Sequence, residues 1–396
     1  MKILVVIDSH PESGGVFSYM LSICELIKNS NSSYSFLFMP TTEEAADVLK
    51  QNEIAIIPDM YKSNIRSVFC RIVRRVLMIM GGRFVRLSLN KSVINFVIKK
   101  YDVDLVYFLG HSPLAIELTK APFIYTVWDF CHRDWPEFPE VNTDYIFESR
   151  ENSYTNSINR AIAVVVDSDA LAEKTMKYYG VNKERIVKVP FLVTDRNDAE
   201  SVDIVKKYKL EKPFIFYPAQ FWPHKNHYYI LEGLKLLKEE QNLVLNVVFT
   251  GKDCGNLDYI LKSAEKMGIA SQIEHIGFIP KDDVLAFYKK AVALVMPTYF
   301  GPTNLPPLEA LSMNCPVLYS DLPEFRREYD GAVFFMNLDN PQSMAESLVK
   351  ILNKDPIVEL YKEAGKKLLK EHDAKNAWKV LEETFVSFER LLKRWK

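Results

Sequence analysis

A lysine stands between a strand pattern and a helix pattern in the stretch FYPAQFWPHKNHYYILEGLKLL, residues 216–237. The apolar run that ends at Tyr217 predicts a strand, and the apolar spacing after His227 predicts a helix. Lys225 therefore precedes the positive end of a helix, where an ammonium is suited to neutralise a diphosphate. A plain surface lysine is the alternative. His224 and His227 suggest a metal site, but no partner at ligand spacing supports one, so hydrogen-bonding or solvent roles are favoured.

A second candidate is the loop YFGPTNLPPLEA, residues 299–310, which runs into a helix start. Pro306 or Pro307 fits the first helical position, where a missing N–H costs nothing. The amides of Thr303–Leu305, just ahead of it, can face a phosphate. Glu309 is then expected in the first turn, where it either pairs with the helix dipole or accepts the two hydroxyls of a ribose.

Two adjacent glycines, Gly14 and Gly15, follow the first apolar run and precede an amphipathic helical pattern. Such a pair lets backbone amides approach a ligand closely, and the helix start favours an anion or a sugar hydroxyl. A tight turn explains the pair equally well. These glycines do not form the GxGxxG fingerprint, and no GxxxxGK[ST] motif occurs in the sequence. Both observations argue against a dinucleotide oxidoreductase and a P-loop NTPase.

A third group of polar residues follows the apolar run Phe123–Val127. It consists of Asp129, His132, Arg133, Asp134 and Glu137. Ligands of parallel sheets bind at the carboxyl ends of strands, so an aspartate or histidine here is placed to position an acceptor hydroxyl. A purely structural role is the alternative.

Short apolar, β-branched runs alternate with longer helical patterns along the whole chain. They are residues 3–7, 35–39, 104–108, 123–127, 161–166 and 186–189 in the first half, and 214–217, 243–249, 293–296, 316–319 and 332–335 in the second. Continuous apolar strands between helices predict parallel sheets that are covered on both faces. Two such series predict an α/β chain of two Rossmann-like, doubly wound domains that face each other across a cleft.

The domain boundaries follow from these two series. We place an N-terminal domain at residues 1–193 and a second domain at residues 194–375. Residues 376–396 carry one broad apolar stripe at helical spacing. We expect this helix to pack back on the N-terminal domain, with a core helix or an oligomer helix as the alternatives.

Composition excludes several classes of protein. The 396 residues carry a formal charge of −1, which argues against a general nucleic-acid binder. The five cysteines form no CxxC pair and favour a reducing cytosol over a disulfide framework. The first apolar run is too short for a signal peptide, and no apolar stretch approaches the roughly 20 residues that span a bilayer. We therefore expect a cytoplasmic protein.

The second half resembles the donor-binding domain of the GT-B glycosyltransferases of family 4, which are retaining nucleotide-sugar enzymes. The segments PAQFWPHKNH, VVFTGKD, IEHIGFIPKDDVLAFYKKA, MPTYFGPTNLPPLEALSMNCPVLYSD and NPQSMAESLVKIL occur in the order and at the spacing of that family. The resemblance covers about residues 190 to 375. It extends to the first half only through Gly14-Gly15 and TVWDFCHRDWPEFPE.

This resemblance implies roles for individual residues. Lys225 would bind the donor diphosphate, Glu309 would take the ribose hydroxyls, and the backbone near His275–Phe278 would face the base. The implied donor-binding set is Gly15, Gln220, Lys225, Gly251, Phe278, Gly301, Thr303, Asn304, Leu305 and Glu309. The candidate catalytic residues are Asp129, His132, Lys225 and Glu309. The family's chemistry implies no metal, no cofactor and no protein nucleophile, because the departing diphosphate takes the acceptor's proton in a front-face attack.

Three positions depart from the family's pattern. The first of the usual two glutamates would stand at position 301, which is Gly301. The usual arginine ahead of Lys225 is Gln220, and the histidine often found before Asp129 is Trp128. Because Gly301 and Gln220 lie inside long family-like runs, we interpret them as the variant of a subgroup.

A basic segment at residues 62–100 holds ten Lys and Arg residues and no Asp or Glu. Basic residues interleaved with aliphatic ones suit an anionic membrane surface, and Arg71, Arg74 and Arg75 are its centre. The alternative is a helix pair whose basic side is simply solvated, and RNA binding is disfavoured by the overall charge. Membrane docking would place the protein at the inner face of the cytoplasmic membrane and would suit a lipid-linked glycan acceptor.

Together these features predict a retaining glycosyltransferase. It would move a hexose or deoxyhexose, with mannose or rhamnose types favoured, from a nucleoside-diphosphate sugar to a growing, lipid-linked bacterial surface glycan such as an O-antigen or capsule. A non-catalytic nucleotide- or glycan-binding relative and a nucleotide-sugar epimerase of the same fold are the alternatives.

Overall fold

The structure is a computed structural model that describes residues 1–58, 92–193, 203–210, 213–301 and 304–395. The chain divides into two compact units. Unit 1 consists of Met1–Trp128, Glu148–Leu192 and Ala374–Lys396, and unit 2 consists of Asp129–Phe147 and Val193–Asp373.

The described strands and helices alternate along the chain. The strands are β1 (Lys2–Ile7), β2 (Ser35–Pro40), β3 (Leu105–Phe108), β4 (Phe123–Thr126), β5 (Ala163–Val166), β6 (Ile186–Lys188), β7 (Phe214–Pro218), β8 (Asn246–Thr250), β9 (Ile273–His275), β10 (Leu294–Met296), β11 (Val317–Ser320) and β12 (Phe334–Met336). The α-helices are α1 (Gly15–Lys28), α2 (Glu43–Gln51), α3 (Val93–Tyr101), α4 (Leu114–Glu117), α5 (Cys131–Asp134), α6 (Pro139–Asn142), α7 (Ile146–Ser157), α8 (Asp169–Tyr179), α9 (Ile204–Tyr208), α10 (His227–Glu240), α11 (Leu257–Lys266), α12 (Lys281–Lys290), α13 (Leu305–Ser312), α14 (Pro323–Tyr329), α15 (Gln342–Leu352), α16 (Pro356–Leu369) and α17 (Ala374–Leu392).

Unit 1 is built on a parallel sheet with the strand order β2-β1-β3-β4-β5-β6. Its central strands are buried along their length, as continuous Val, Ile and Phe runs require when helices cover both faces. The C-terminal helix α17 belongs to this unit, and its Phe385 ring is fully buried 5.9 Å from the ring of Phe36 on β2. The predicted return of the last helix to the N-terminal domain is thus confirmed.

Unit 2 repeats the plan with the order β12-β11-β10-β7-β8-β9, again all parallel. All the predicted strands are present within a few residues of their expected bounds. The structure adds one short strand, β9, that was not predicted. The three residues of β9 include Glu274 and His275, and such a polar edge strand lacks the apolar run that marked the others. The two-domain α/β prediction is confirmed.

One segment differs from the expected domain boundary. Residues 129–147 were expected in the N-terminal domain but lie in unit 2. Aromatic packing explains this, because Trp135 and Phe138 pack against Cys131, Val141 and Phe300 in one apolar cluster. None of the helices in the described parts of the chain is both long and apolar enough to cross a bilayer. The basic residues Arg71, Arg74 and Arg75 lie outside the described residues.

Candidate active site of unit 2

The site lies where the strand order of the second sheet reverses. The chain continues from β7 to β8 on one side of this strand pair and from β10 to β11 on the other side. In open α/β sheets, ligands bind outside the carboxyl ends of the strands at such a reversal. The two loops that follow β7 and β10 are joined by hydrogen bonds. The backbone N–H of Tyr299 donates to the His224 carbonyl oxygen at 2.9 Å, and the buried Thr298 hydroxyl donates to the same oxygen at 3.4 Å. The sheet topology therefore brings together the two stretches that the sequence analysis singled out.

Lys225 ends a short 3-10 turn, Pro223–Lys225, between β7 and α10. Asn226 follows in the left-handed conformation with φ 54°, which turns the chain into α10. The half-buried ammonium forms no hydrogen bond or salt bridge with any described residue. Burial lowers the pKa of Lys225 to about 8, although the nearby Cys131, Asp129 and Glu140 oppose this shift. A partly desolvated cation of this kind is suited to an anionic ligand.

Glu140 is a site residue that the sequence analysis missed. Its Oε1 accepts a hydrogen bond from the His224 backbone N–H at 2.9 Å and lies 2.5 Å from the His224 ring Nδ1. The ring of Phe300 stacks on the face of this imidazole, with 3.8 Å between centroids. In the sequence, Glu140 appears only as an acidic residue after a helix-starting proline, a pattern that says nothing about a partner 84 residues away.

Gly251 allows close approach of two loops. It has φ +123°, and a Cβ at this position would lie 2.6 Å from the Ala219 carbonyl oxygen. Its N–H donates to the Gly277 carbonyl oxygen at 2.8 Å. Glycine is therefore required where the end of β8 passes the loop of Gln220. The half-buried Gln220 side chain accepts a hydrogen bond from the Trp222 indole at 3.0 Å.

Two prolines shape the start of α13. This helix begins at Leu305, so Pro306 and Pro307 are its second and third residues rather than its first. These positions also need no intrahelical N–H, which is why both prolines are tolerated. They leave the N-cap residue Asn304 with no N–H to cap, because a cap side chain bonds the second or third residue. Its side-chain amide instead donates to the Gly301 carbonyl oxygen at 2.9 Å and to the Tyr319 hydroxyl at 2.6 Å.

Glu309 was expected in the first turn of the helix. It is the fifth residue of α13 and so lies just beyond that turn. The two prolines account for the offset, because the helix starts one residue ahead of them. The side chain is half-buried, and the Tyr288 hydroxyl donates to its Oε2 at 3.4 Å. Burial raises the pKa of Glu309, while Lys281 and Tyr288 oppose the shift. A desolvated carboxylate with only one long hydrogen bond among the described residues is suited to hydroxyl donors.

Asp129 and His132, which follow β4, have different surroundings. Asp129 is half-buried, and its Oδ1 accepts the Cys131 backbone N–H at 2.9 Å, so it starts helix α5. Its charge also acts on Lys225. His132 is fully buried, with its ring 5.4 Å from that of Phe147. This burial departs from the expectation of a ligand-facing histidine, because the α5 turn directs the ring into the packing of unit 2.

The remaining predicted residues are placed as follows. Phe278 is 75% exposed in the loop after β9. Gly15 is the exposed first residue of α1 in unit 1, behind Gly14 with φ +65°. Thr303 lies outside the described residues.

The histidines beside Lys225 are packed among aromatic rings. Burial lowers the pKa of His224 to about 4 and that of His227 to about 3. The His227 ring stacks on Phe221 with 4.2 Å between centroids. Within the described ranges, no group of three or more His, Cys, Asp or Glu residues is placed to hold a metal ion.

Comparison with known proteins finds a family match and several similar proteins. Residues 200–368 match the family model described as glycosyl transferases group 1. The chain is 25% identical over 198 residues to the O-antigen chain mannosyltransferase RfbU of Salmonella typhimurium, a match that covers 49% of this chain and 52% of the relative. It is 22% identical over 258 residues to the O-antigen chain mannosyltransferase B of Escherichia coli, covering 64% and 66%. The chain thus spans about half of one relative and just under two thirds of the other.

The fold of the whole chain resembles that of a solved structure. The Anabaena protein Alr3699/HepE, in complex with UDP and glucose, superposes with a TM-score of 0.73 at 14% identity, over 98% of this chain and 100% of that one. This likeness concerns the fold, which is of the GT-B class.

Proposed function

We propose, from the match of residues 200–368 to the family model of glycosyl transferases group 1, that the chain is a retaining glycosyltransferase. The donor would be a nucleoside-diphosphate hexose or deoxyhexose of the mannose or rhamnose type. Two of the relatives are named O-antigen mannosyltransferases, which favours mannose. The acceptor would be a growing, lipid-linked bacterial surface glycan. The observation that carries the proposal is the half-buried Lys225 ammonium at the reversal of the sheet, next to a family-matched loop and without an ion-pair partner among the described residues.

In this proposal the residues of unit 2 divide the donor between them. Lys225 and the backbone amides of Asn304 and Leu305 face the diphosphate. These amides stand at the start of α13, donate to no described residue, and are followed by two prolines that have no N–H to offer. Glu309 accepts the ribose hydroxyls. The bond between C1 of the sugar and the diphosphate oxygen breaks while the acceptor oxygen bonds C1 on the same face. The acceptor's hydroxyl proton passes to the departing diphosphate, so neither a metal nor a protein nucleophile is needed.

Electrostatic stabilisation of the leaving group is the main work assigned to the protein. A charged hydrogen bond to a buried group contributes about 1.5–3 kcal/mol, which corresponds to about 10- to 150-fold in affinity. Lys225→Ala should therefore weaken nucleoside-diphosphate binding by about tenfold or more. Lys235→Ala is the matched control, because the Lys235 side chain on α10 is 42% exposed and pairs with Glu239.

The test begins with a thermal-shift screen of GDP, UDP, dTDP and ADP, which also identifies the base. The matching nucleotide sugars are then incubated with and without a lipid-linked acceptor, and released nucleoside diphosphate is measured. Acceptor-dependent release that Lys225→Ala abolishes supports the proposal. Tight binding without release would instead support a non-catalytic relative, a reading that Gly301 and Gln220 keep open. Conversion of the sugar without acceptor would indicate an epimerase.

Membrane association is a further part of the proposal and rests on the sequence of the basic segment. Arg71, Arg74 and Arg75 would contact anionic lipid at the inner face of the cytoplasmic membrane, each contributing about 1 kcal/mol. Replacing all three by glutamate should release the protein from vesicles that contain anionic lipid. An unchanged pelleted fraction would remove this part of the proposal and leave the donor site unaffected.

A further inference from the structure

The turn that carries Lys225 is held by a carboxylate from a distant part of unit 2. Glu140, on α6, accepts the His224 backbone N–H at 2.9 Å and contacts the ring Nδ1 at 2.5 Å through the same oxygen. Both side chains are nearly buried, with 6% of Glu140 and 9% of His224 exposed. Two bonds to one residue restrain both its backbone and its ring, and Lys225 is the next residue in the chain.

Two further contacts restrain His224. The Phe300 ring stacks on the imidazole, and the His224 carbonyl oxygen accepts the Tyr299 N–H at 2.9 Å. Both contacts come from the loop after β10. The Lys225 turn is therefore held between α6 and that loop, and we call the contacts of His224 with Glu140, Tyr299 and Phe300 the clamp. Among the described residues, Glu140 supplies the only charged group of this clamp.

The charges of the clamp also matter for Lys225. Burial keeps His224 neutral at physiological pH by lowering its pKa to about 4, so Nδ1–H donates to the carboxylate. Burial alone would raise the pKa of Glu140, but its hydrogen bonds to His224 hold that pKa below the usual value. The pair thus carries one net negative charge beside the ammonium. The second carboxylate oxygen, Oε2, is buried and forms no hydrogen bond with any described residue.

Two hydrogen bonds that only hold His224 in place do not require a charged acceptor. A neutral amide oxygen could accept both bonds from His224, and it would avoid the cost of burying an ion with one oxygen unsatisfied. The retained charge points to an electrostatic role toward Lys225, which the carboxylate of Asp129 and the thiol of Cys131 also approach.

We propose that Glu140 is a positioning residue: its hydrogen bonds to His224 fix the turn that presents Lys225 to the donor diphosphate, and its negative charge supports the ammonium. This inference rests on the proposed function, which assigns the diphosphate to Lys225. It adds a residue outside the family-matched segment to the machinery of the site.

The test separates geometry from charge with two substitutions. Glu140→Gln keeps an oxygen that accepts both bonds but removes the charge, whereas Glu140→Ala removes both. Binding of GDP and of inorganic pyrophosphate is measured by calorimetry at pH 6.5 and pH 8.5. Pyrophosphate probes the diphosphate site without a base. Asp283→Asn is the control, because Asp283 is another buried carboxylate of unit 2 that accepts two hydrogen bonds, from Lys207 and Tyr208.

The expected pattern depends on pH. At pH 6.5 Lys225 is protonated in every variant, so Glu140→Gln should bind within about threefold of wild type, while Glu140→Ala should bind about tenfold more weakly because the turn is released. At pH 8.5 Glu140→Gln should fall about fivefold or more below wild type, because loss of the charge lowers the pKa of Lys225 further. Asp283→Asn should follow wild type at both pH values.

Three results would overturn the inference. Wild-type affinity of Glu140→Ala at pH 6.5 would show that the turn does not need Glu140. A loss in Glu140→Gln that is equal at both pH values would assign it a structural role only. Equal losses in Asp283→Asn would point to general destabilisation. Failure of the proposed function looks different, because wild type itself would then bind neither probe or Lys225→Ala would bind as wild type does.

Discussion

Position 301 departs from the pattern of the family that the sequence resembles, and the structure shows what a side chain there would meet. Gly301 has φ +112°, a conformation that side-chain-bearing residues rarely adopt. A Cβ at this position would lie 2.8 Å from Asn304 Oδ1 and 2.9 Å from Asn304 Nδ2. The Asn304 amide therefore occupies the space of a side chain at position 301. Restoring the family's usual residue by Gly301→Glu should destabilise unit 2 and should not raise activity.

The magnitude follows from two costs. Forcing a side-chain-bearing residue into this backbone region costs about 1–3 kcal/mol. Displacing Asn304 forfeits its hydrogen bonds to the Gly301 carbonyl and the Tyr319 hydroxyl, each worth about 1 kcal/mol. Gly301→Ala should therefore lower the free energy of unfolding by about 3–5 kcal/mol. For a unit of this size that corresponds to a fall in Tm of about 6–20 °C.

The assay is urea and thermal unfolding of Gly301→Ala, with Gly255→Ala as the matched control. Gly255 also has positive φ, +98°, but a Cβ there meets nothing within 4 Å. The control thus reports the backbone cost alone, and the difference between the two variants reports the displacement of Asn304. In an Asn304→Ala background the extra cost at position 301 should disappear. If Gly301→Ala and Gly255→Ala lose the same stability, the explanation based on Asn304 is refuted.

Three further predictions concern other parts of the molecule. Because the pKa of Lys225 is lowered to about 8, its amine is mostly protonated at pH 7 and mostly neutral at pH 9. Nucleoside-diphosphate affinity measured by calorimetry should therefore be about tenfold weaker at pH 9 than at pH 7, and Lys225→Ala should abolish this dependence. An affinity of the wild type that does not change with pH would contradict the lowered pKa. Glu309→Ala should weaken binding of a nucleoside diphosphate but not of inorganic pyrophosphate, and equal losses for both would exclude a ribose contact. Phe385→Ala removes a fully buried ring from α17 and should destabilise unit 1 by about 3–5 kcal/mol in urea unfolding. Leu391 is 49% exposed on the same helix, so Leu391→Ala should change stability by less than about 0.5 kcal/mol. Similar losses for both variants would show that the helix does not depend on this buried ring.

Local sequence patterns predicted most of the strands and helices and part of the candidate site. Apolar β-branched runs identified nearly all strands, because a strand buried on both faces must be apolar throughout. The same runs placed Lys225 at a strand end and Glu309 on a helix behind a proline-rich loop, since both positions follow from neighbouring residues. The start of α13 was displaced by one residue, because proline is tolerated at the second and third helical positions as well as at the first.

The rest depended on residues that are distant in the sequence. The sequence alone determined the two parallel sheets, the amphipathic last helix and the Lys225 loop, because each is encoded by the spacing of adjacent residues. Only the tertiary structure paired Glu140 with His224, moved residues 129–147 into unit 2, buried His132 and folded Asn304 over Gly301. These features are decided by backbone geometry and by packing between segments far apart in the chain, and no local pattern specifies which carboxylate, ring or amide will meet there.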